Sequence, residues 1–252
     1  MKKRKTFEIN EKTPMFLLAG PISAELLLNI LLNNVDTVMI SRHSQNSVGA
    51  MGNANQIMFL FIIMFGVIAS ATGVVVSQYL GAKKTENMNQ IYTMALLLNL
   101  ALGLILSLVV FFCCEDFMGL MKVNESQIGD AVTYTKIVGI FLFLQAGYNV
   151  MVQILRCNGY TKVGMYISLM VNLVNIVGNY LFLYGPLAHL NMGIAGVAIS
   201  TVTARILAFT VALIIFYRCR IGKIAPKLLF PFPGKILVKM LRIGIPSAGE
   251  NL

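Results

Sequence analysis

The sequence predicts an all-α membrane protein: a bundle of six transmembrane helices followed by the start of a seventh. Of the 252 residues, 57% are apolar and only 12% are charged, and the mean hydropathy is +0.77. Soluble domains carry about 25% charged residues. Six long apolar segments follow one another, and Lys and Arg concentrate in alternate gaps between them. These observations exclude a disordered chain and argue against a soluble domain.

Each apolar segment exceeds the ~20 residues that cross about 30 Å of hydrocarbon as a helix. The six predicted segments are 14–40, 56–80, 91–114, 131–155, 163–184 and 192–217. A seventh starts near residue 236 and contains Lys239 and Arg242 within its first two turns. We therefore predict four regions: a tail at 1–13, a six-helix lobe at 14–217, a linker at 218–235 and the start of a second lobe at 236–252.

The distribution of positive charge predicts the orientation in the membrane. If the N-terminus is cytoplasmic, 16 of the 20 Lys and Arg lie in cytoplasmic segments, and only Arg42 and Lys122 lie in outside loops. Cytoplasmic loops carry the excess of Lys and Arg in membrane proteins. We therefore expect a multi-pass protein of the cell membrane with a cytoplasmic N-terminus. The net charge of +10 is then explained by basic residues that contact lipid headgroups on the cytoplasmic side. No nucleic-acid partner is expected.

Motifs for catalysis or cofactor binding are missing from the sequence. It contains no Walker loop, dinucleotide fingerprint, HExxH or nucleophile elbow. The four cysteines lack metal-ligand spacing and are interpreted as small apolar residues; they are Cys113, Cys114, Cys157 and Cys219. We expect no enzymatic activity, no catalytic residue, no bound metal and no cofactor.

The first segment carries a polar stripe along one helix face. At 100° per residue, four polar side chains fall within an arc of about 80°; they are Glu25, Asn29, Asn33 and Asp36. The two acids are 11 residues apart, which is about 16 Å along a helix. A carboxylate at mid-membrane costs about 2.5–3.5 kcal/mol, so such a group must face a polar cavity, find a partner or be protonated.

Two further segments carry neutral polar stripes. The fifth segment aligns Ser168, Asn172, Asn175 and Asn179, and the fourth aligns Gln145, Asn149 and Gln153 beside Tyr148. These stripes predict a polar interior, and we expect Asn29, Asn33, Asn172, Gln145 and Asn149 to line it. The alternative for the neutral stripes is hydrogen bonding between helices, worth roughly 0.6 kcal/mol per contact.

An internal repeat is visible at an offset of 225 residues. The run GPISAEL at 20–26 resembles IPSAGEN at 245–251, and each follows a basic stretch and opens a hydrophobic segment. After an even number of spans the chain returns to its starting side, so the repeats would be parallel. Repeats of this kind place the substrate site between two lobes.

With these motifs the sequence resembles the multidrug and toxic compound extrusion (MATE) family of secondary transporters. The matching runs are spread over nearly the whole chain: PISAE at 21–25, NVDT at 34–37, SQYLGAK at 77–83, LRCNGYTK at 155–162, NIVGNY at 175–180 and GIAGVA at 193–198. The resemblance implies twelve helices in two lobes around a central cavity. It also implies export of amphipathic or cationic drugs and toxins in exchange for H⁺ or Na⁺.

The resemblance also assigns roles to residues. Asp36 matches the first-helix Asp that takes part in ion coupling, and Asn175 matches an Asn of the fifth helix. Asn179 stands where some members have Asp, which weakens a mechanism with two acids in this lobe. Together with Glu25, these residues form the expected ion-coupling set. Glu250 resembles an acid near the start of the seventh helix.

Two alternatives to a drug antiporter remain open at this point. A flippase of lipid-linked oligosaccharides should line its cavity with several cationic groups for pyrophosphate, and only Lys136 and Arg205 qualify. The other alternative is a pore or a membrane scaffold without coupled transport, and a pore would ordinarily need a ring built by oligomerisation. Because the repeat stops soon after Pro246, we expect an incomplete N-terminal half, which needs a C-terminal lobe or a second copy as its partner.

The charge asymmetry makes a topology prediction. In a background without the four native cysteines, Lys83→Cys and Thr161→Cys should react with a membrane-impermeant thiol reagent only from the cytoplasmic side. Gln127→Cys should react only from outside. Labelling of residue 83 from outside, together with protection of residue 127, would invert the orientation.

Overall fold

A computed structural model describes residues 15–42, 44–83 and 87–229, and positions 234, 237, 238, 240 and 242. Seven α-helices follow in chain order: α1 Met15–Ser41, α2 Gln45–Gly81, α3 Met88–Leu120, α4 Glu125–Gly139, α5 Leu142–Cys157, α6 Thr161–Leu183 and α7 Gly193–Arg218. Short 3₁₀ turns occupy Ala188–Leu190 and Pro226–Leu229. Within this described part no β-strand occurs, and the predicted all-α class is confirmed.

Four of the described helices, α2, α3, α6 and α7, are long and apolar enough to cross a membrane. The pair α4 and α5 adds a fifth span if the two are counted as one bent element. Helix α1 coincides with the first predicted segment. The predicted start of a seventh helix and the repeat at 245–251 fall almost entirely outside the described residues, and so does the tail at 1–13.

The fourth predicted segment is not one straight helix. It divides at Ile140 and Phe141 into α4 and α5, whose axes differ by 49°. Other elements satisfy the backbone groups that the break exposes. Ser107 Oγ of α3 accepts a hydrogen bond from Phe143 N at 3.3 Å, and Arg205 Nη1 of α7 points at Val138 O at 3.5 Å. Partners of this kind are the usual condition for a broken helix within a membrane.

Helix α2 begins 11 residues before the predicted segment. Ser44 caps it by accepting a hydrogen bond from Ser47 N, and Ser47 Oγ donates to Asp130 Oδ2 of α4 at 2.6 Å. Ala50 and Ala54 are buried on the same face. The polar composition of 45–55 predicted a loop, but close packing against α4 makes this stretch helical.

The core has two halves, one at each end of the bundle. One half surrounds Tyr92, Met151 and Phe216 on α3, α5 and α7. The other surrounds Met58, Phe65 and Val138 on α2 and α4. Helix α5 packs against α2, α3 and α7, whereas α6 packs between α1 and α7. The segment after α7 folds back onto α3, where Asn89 Oδ1 accepts from Lys223 N at 2.9 Å.

Small residues and one amide allow the helices to approach closely. A Cβ on Gly103 would stand 2.7 Å from the Phe143 Cα, so α3 and α5 touch backbone to backbone there. Close to this contact, the fully buried Asn99 donates through Nδ2 to Ala146 O at 3.1 Å and to Phe65 O at 3.4 Å. Small residues and interhelical hydrogen bonds are typical of helix contacts in membranes.

Two glycines of α3 test this contact. Gly103→Ala should destabilise the protein by about 1–3 kcal/mol, because the added methyl group collides with backbone rather than with a flexible side chain. Gly119→Ala is the matched control, since nothing lies within 4 Å of its Cβ position and alanine favours helix. Thermal unfolding in detergent measures both. Equal melting temperatures for the two variants would contradict the close approach.

Candidate functional site

Helices α1 and α6 lie side by side and run in the same direction. Glu25 in the third turn of α1 reaches Gly164 in the first turn of α6, whose Cβ position is 2.6 Å from Glu25 Oε2. Near their last turns, Tyr184 Oη donates to Met39 O at 2.6 Å. Two of the three helices that carry predicted polar stripes, α1 and α6, are therefore parallel neighbours.

The described side chains include Glu25 but not those of Asn29, Asn33 and Asp36, whose predicted roles stay predictions. The backbone of Asp36 belongs to α1, three residues before Met39, or about 4.5 Å along the axis. Asn179 precedes Tyr184 on α6 by five residues, or about 7.5 Å. Since Met39 and Tyr184 are in contact, Asp36 and Asn179 occupy similar levels of the bundle.

The interface between α6 and α7 carries the amides predicted for ion coupling. Asn179 is fully buried. Asn175 Nδ2 donates to Thr201 Oγ1 over 3.4 Å, and Ser200 Oγ donates to Asn175 O at 3.0 Å. Asn175 Oδ1 is buried and finds no hydrogen-bond donor among the described residues. A buried amide oxygen without a donor is suited to accept a proton-bearing group or a cation.

The other predicted cavity residues are bonded more locally. Asn172 Nδ2 donates to the carbonyl and hydroxyl oxygens of Ser168, one turn back on α6. On α5, Gln145 Nε2 donates to Asn149 Oδ1 at 3.0 Å, also within one helix. Of these three residues, Asn149 lines a described cavity, which also contains Glu25.

That cavity has a volume of about 180 Å³ and lies between α1, α2 and α5. Its lining is mixed, and the lining residues are Glu25, Gly66, Ala69, Ser70, Tyr148, Asn149, Val152, Gln153 and Arg156. Glu25 is 8% exposed. Arg156 Nη2 donates to Glu25 Oε2 at 2.5 Å, which joins residues 131 positions apart. The site therefore contains a buried ion pair that the helical stripe of α1 did not reveal.

The turn that follows Arg156 at the end of α5 is fixed by the side chain of Asn158. Asn158 Nδ2 donates to Ile154 O at 2.8 Å and to Tyr92 Oη of α3 at 2.9 Å. Gly159 has φ of 89°, a left-handed conformation that glycine adopts without a steric penalty. Sequence reasoning assigned Arg156 to topology alone. Its place in the run LRCNGYTK, just before this turn, was the only sequence signal of a further role.

In the described part of the chain, no group of three or more His, Cys, Asp or Glu is placed to hold a metal ion together. Arg205, which the sequence placed within the sixth segment, is half-buried beside the break between α4 and α5. Lys136 forms an exposed ion pair with Glu115 at 2.7 Å. The geometry described so far consists of amides, hydroxyl groups and one buried ion pair inside a helical lobe.

Comparison with known proteins places this lobe in a family. The MatE family model matches residues 21–181, and the chain therefore belongs to the MatE family. The uncharacterised transporter YisQ of Bacillus subtilis is 37% identical over 94% of this chain and 52% of its own length. The multidrug resistance protein PmpM of Pseudomonas aeruginosa is 30% identical over 73% of this chain and 38% of its own length.

Solved structures have the same fold at low sequence identity. A multidrug resistance MATE family transporter in an outward-facing conformation aligns with a TM-score of 0.79 at 23% identity, over 92% of this chain and 51% of that one. A MOP superfamily transporter from Pyrococcus furiosus aligns with a TM-score of 0.80 at 22% identity, over 92% and 50%. The chain spans about half the length of the curated relatives it matches. The first-lobe fold expected from the resemblance is confirmed for the described residues.

The two ion pairs allow a matched comparison. Glu25→Ala should destabilise the protein by about 1–3 kcal/mol, because Arg156, whose side chain is only 24% exposed, loses its carboxylate partner. Glu115→Ala should have little effect, because its pair with Lys136 is exposed to solvent. Thermal unfolding in detergent at neutral pH compares the two variants. A loss of stability for Glu25→Ala no larger than for Glu115→Ala would contradict a buried pair.

Proposed function

We propose that this chain is the N-terminal lobe of a secondary active antiporter, which exports amphipathic or cationic drugs and toxins in exchange for H⁺ or Na⁺. The match of residues 21–181 to the MatE family carries this proposal. It is supported by the names of two relatives, the multidrug resistance protein PmpM and the probable multidrug resistance protein NorM of Thermotoga maritima. The proposed location is the cell membrane, where the protein crosses the lipid bilayer several times with its N-terminus in the cytoplasm.

Ion coupling is assigned to Asp36 together with Asn175 and Asn179. Asp36 matches the first-helix acid of the family, and its backbone lies near the level of Asn179 on α6. A carboxylate in hydrocarbon is costly, and binding H⁺ or Na⁺ removes that cost. The buried Asn175 Oδ1 offers an additional oxygen ligand. Occupancy of this site would change how α1 packs on α6, and with it the affinity for the exported compound.

A second lobe is needed to enclose the exported compound. The outward face of α1 leaves large apolar side chains exposed, namely Leu26, Leu27, Ile30 and Val38. The relatives that this chain matches are about twice as long. We propose that a C-terminal lobe, or a second copy of this chain, packs across from α1 and completes the transport cavity.

Replacement of the coupling acid tests the mechanism. In a transporter that contains this lobe and a second one, Asp36→Asn should abolish ion-driven efflux while leaving membrane insertion intact, because the amide cannot titrate. Drug efflux from everted vesicles under an imposed H⁺ or Na⁺ gradient is the measurement. Glu115→Gln on the exposed end of α3 is the control and should transport normally. Wild-type efflux by Asp36→Asn would remove Asp36 from the coupling mechanism.

Reconstitution tests whether the lobe needs a partner. The purified 252-residue chain in liposomes should show no drug antiport under an ion gradient, because one lobe does not enclose a cavity. Robust antiport would favour a dimer of this chain as the transporting unit. Single-channel currents would instead favour the pore, and translocation of a lipid-linked oligosaccharide would favour the flippase.

A further inference from the structure

The cavity beside Glu25 holds a carboxylate that is incompletely bonded. Of its two oxygens, Oε2 accepts from Arg156 Nη2, whereas the described residues supply no hydrogen-bond donor to Oε1. Arg156 Nε is buried and likewise has no partner among them. The strongest arginine–carboxylate pairs use two parallel hydrogen bonds. This pair uses one, so the guanidinium neutralises the carboxylate without filling its coordination sphere.

The remaining lining supplies oxygen atoms rather than further charges. Tyr148 and Ser70 contribute hydroxyl groups, and Asn149 and Gln153 contribute side-chain amides. Carboxylate, carbonyl and hydroxyl oxygens are the ligands that hard cations take in proteins. A volume of about 180 Å³ is enough for a small cation with several waters, since each water occupies about 30 Å³.

The space around the carboxylate depends on a glycine. The Cβ position of Gly164 is 2.6 Å from Glu25 Oε2 and 3.1 Å from Arg156 Nη2. Helix α6 thus offers only backbone at this point, and the carboxylate and guanidinium lie directly against it. Arg156 is in the last turn of α5, on a long side chain that can swing away while the helix stays fixed.

From this geometry we infer that the cavity is a second cation site, in which the Arg156 guanidinium occupies the place of a small monovalent cation at Glu25. A proton or Na⁺ binds Glu25 when Arg156 moves aside. When Arg156 returns to the carboxylate, it displaces the bound ion. The arginine is a tethered competitor that keeps the charge of the carboxylate balanced in the absence of the ion.

The direction of ion movement through this site rests on the proposed function. In the proposed orientation, Glu25 and the turn after α5 lie toward the cytoplasm, about 16 Å along α1 from Asp36. The site would then receive the coupling ion after it leaves Asp36 and release it to the cytoplasm. Cation binding itself requires no transport, so it can be measured on this chain alone.

Removing the competitor is the test. The purified chain is unfolded thermally in detergent, with circular dichroism as the signal, in NaCl and in choline chloride of equal ionic strength. Choline carries its charge behind methyl groups, so it cannot bring a bare cation against the carboxylate oxygens as Na⁺ does. Arg156→Gln should melt about 2–4 °C or more higher in NaCl than in choline, because Na⁺ stabilises the folded state that binds it. A parallel comparison in choline, at neutral and acidic pH, detects a proton bound in place of Na⁺.

The carboxylate is identified by a second substitution. The double variant Glu25→Gln/Arg156→Gln should lose both the Na⁺-dependent and the acid-dependent shift in melting temperature. In wild type, both shifts should be no larger than in this double variant. Lys136→Gln, which breaks the exposed pair with Glu115, is the matched control and should gain no cation dependence. An effect of Na⁺ assigns the site to Na⁺, and an effect of acid alone assigns it to H⁺.

The inference is overturned if Arg156→Gln responds to neither cation more than the double variant does. If Arg156→Gln folds only in NaCl, the inference is supported directly. If it folds in neither salt, Arg156→Met takes its place. The methionine side chain is long and uncharged, so it keeps packing at this position without competing for the carboxylate, and a Na⁺-dependent or acid-dependent shift is again expected. Its absence, or a failure of this variant to fold in NaCl and at acidic pH, overturns the inference. Failure of antiport in a longer protein would leave this result unchanged.

Discussion

Hydrocarbon offers no hydrogen bonds, and the arrangement of this lobe depends on that constraint. Every backbone group at membrane depth must find a partner within the protein. The helices meet most of the demand internally. Where α4 and α5 separate, side chains from two other helices take over, Ser107 from α3 and Arg205 from α7. The buried Asn99 of α3 donates hydrogen bonds to backbone carbonyls of α2 and α5. The bend is therefore a feature that several helices support together.

The same constraint made part of the lobe predictable from sequence. Apolar segments long enough to cross the membrane gave the helices, and helical periodicity placed Glu25 and Asn179 on inward faces, where both are buried. The break in the fourth segment could not be predicted, because no proline marks it. The early start of α2 was also hidden, since residues 45–55 are polar in sequence and become helical through contacts with α4.

Contacts between residues distant in sequence also could not be predicted. Periodicity within one helix cannot show that Arg156 reaches Glu25 across 131 positions, and a basic residue next to a cytoplasmic turn has a sufficient explanation in topology. Nor can periodicity separate a stripe that binds an ion from one that bonds within its own helix. On α6 the structure shows what periodicity could not, namely that the Asn175 Oδ1 is buried without a hydrogen-bond donor among the described residues.

These contacts give α1 an unusual form of attachment. Its outward apolar side chains, including Leu27 and Ile30, are exposed, and most of its packing is against α6. Near its last turn it is held by the neutral hydrogen bond from Tyr184 to Met39 O, and in its third turn by the ion pair of Glu25 with Arg156. A neutral hydrogen bond does not compete with cations, whereas an ion pair competes with every cation that can reach the carboxylate. The two attachments of α1 to the rest of the lobe therefore differ in chemistry, and only the one at Glu25 is open to direct competition by a cation.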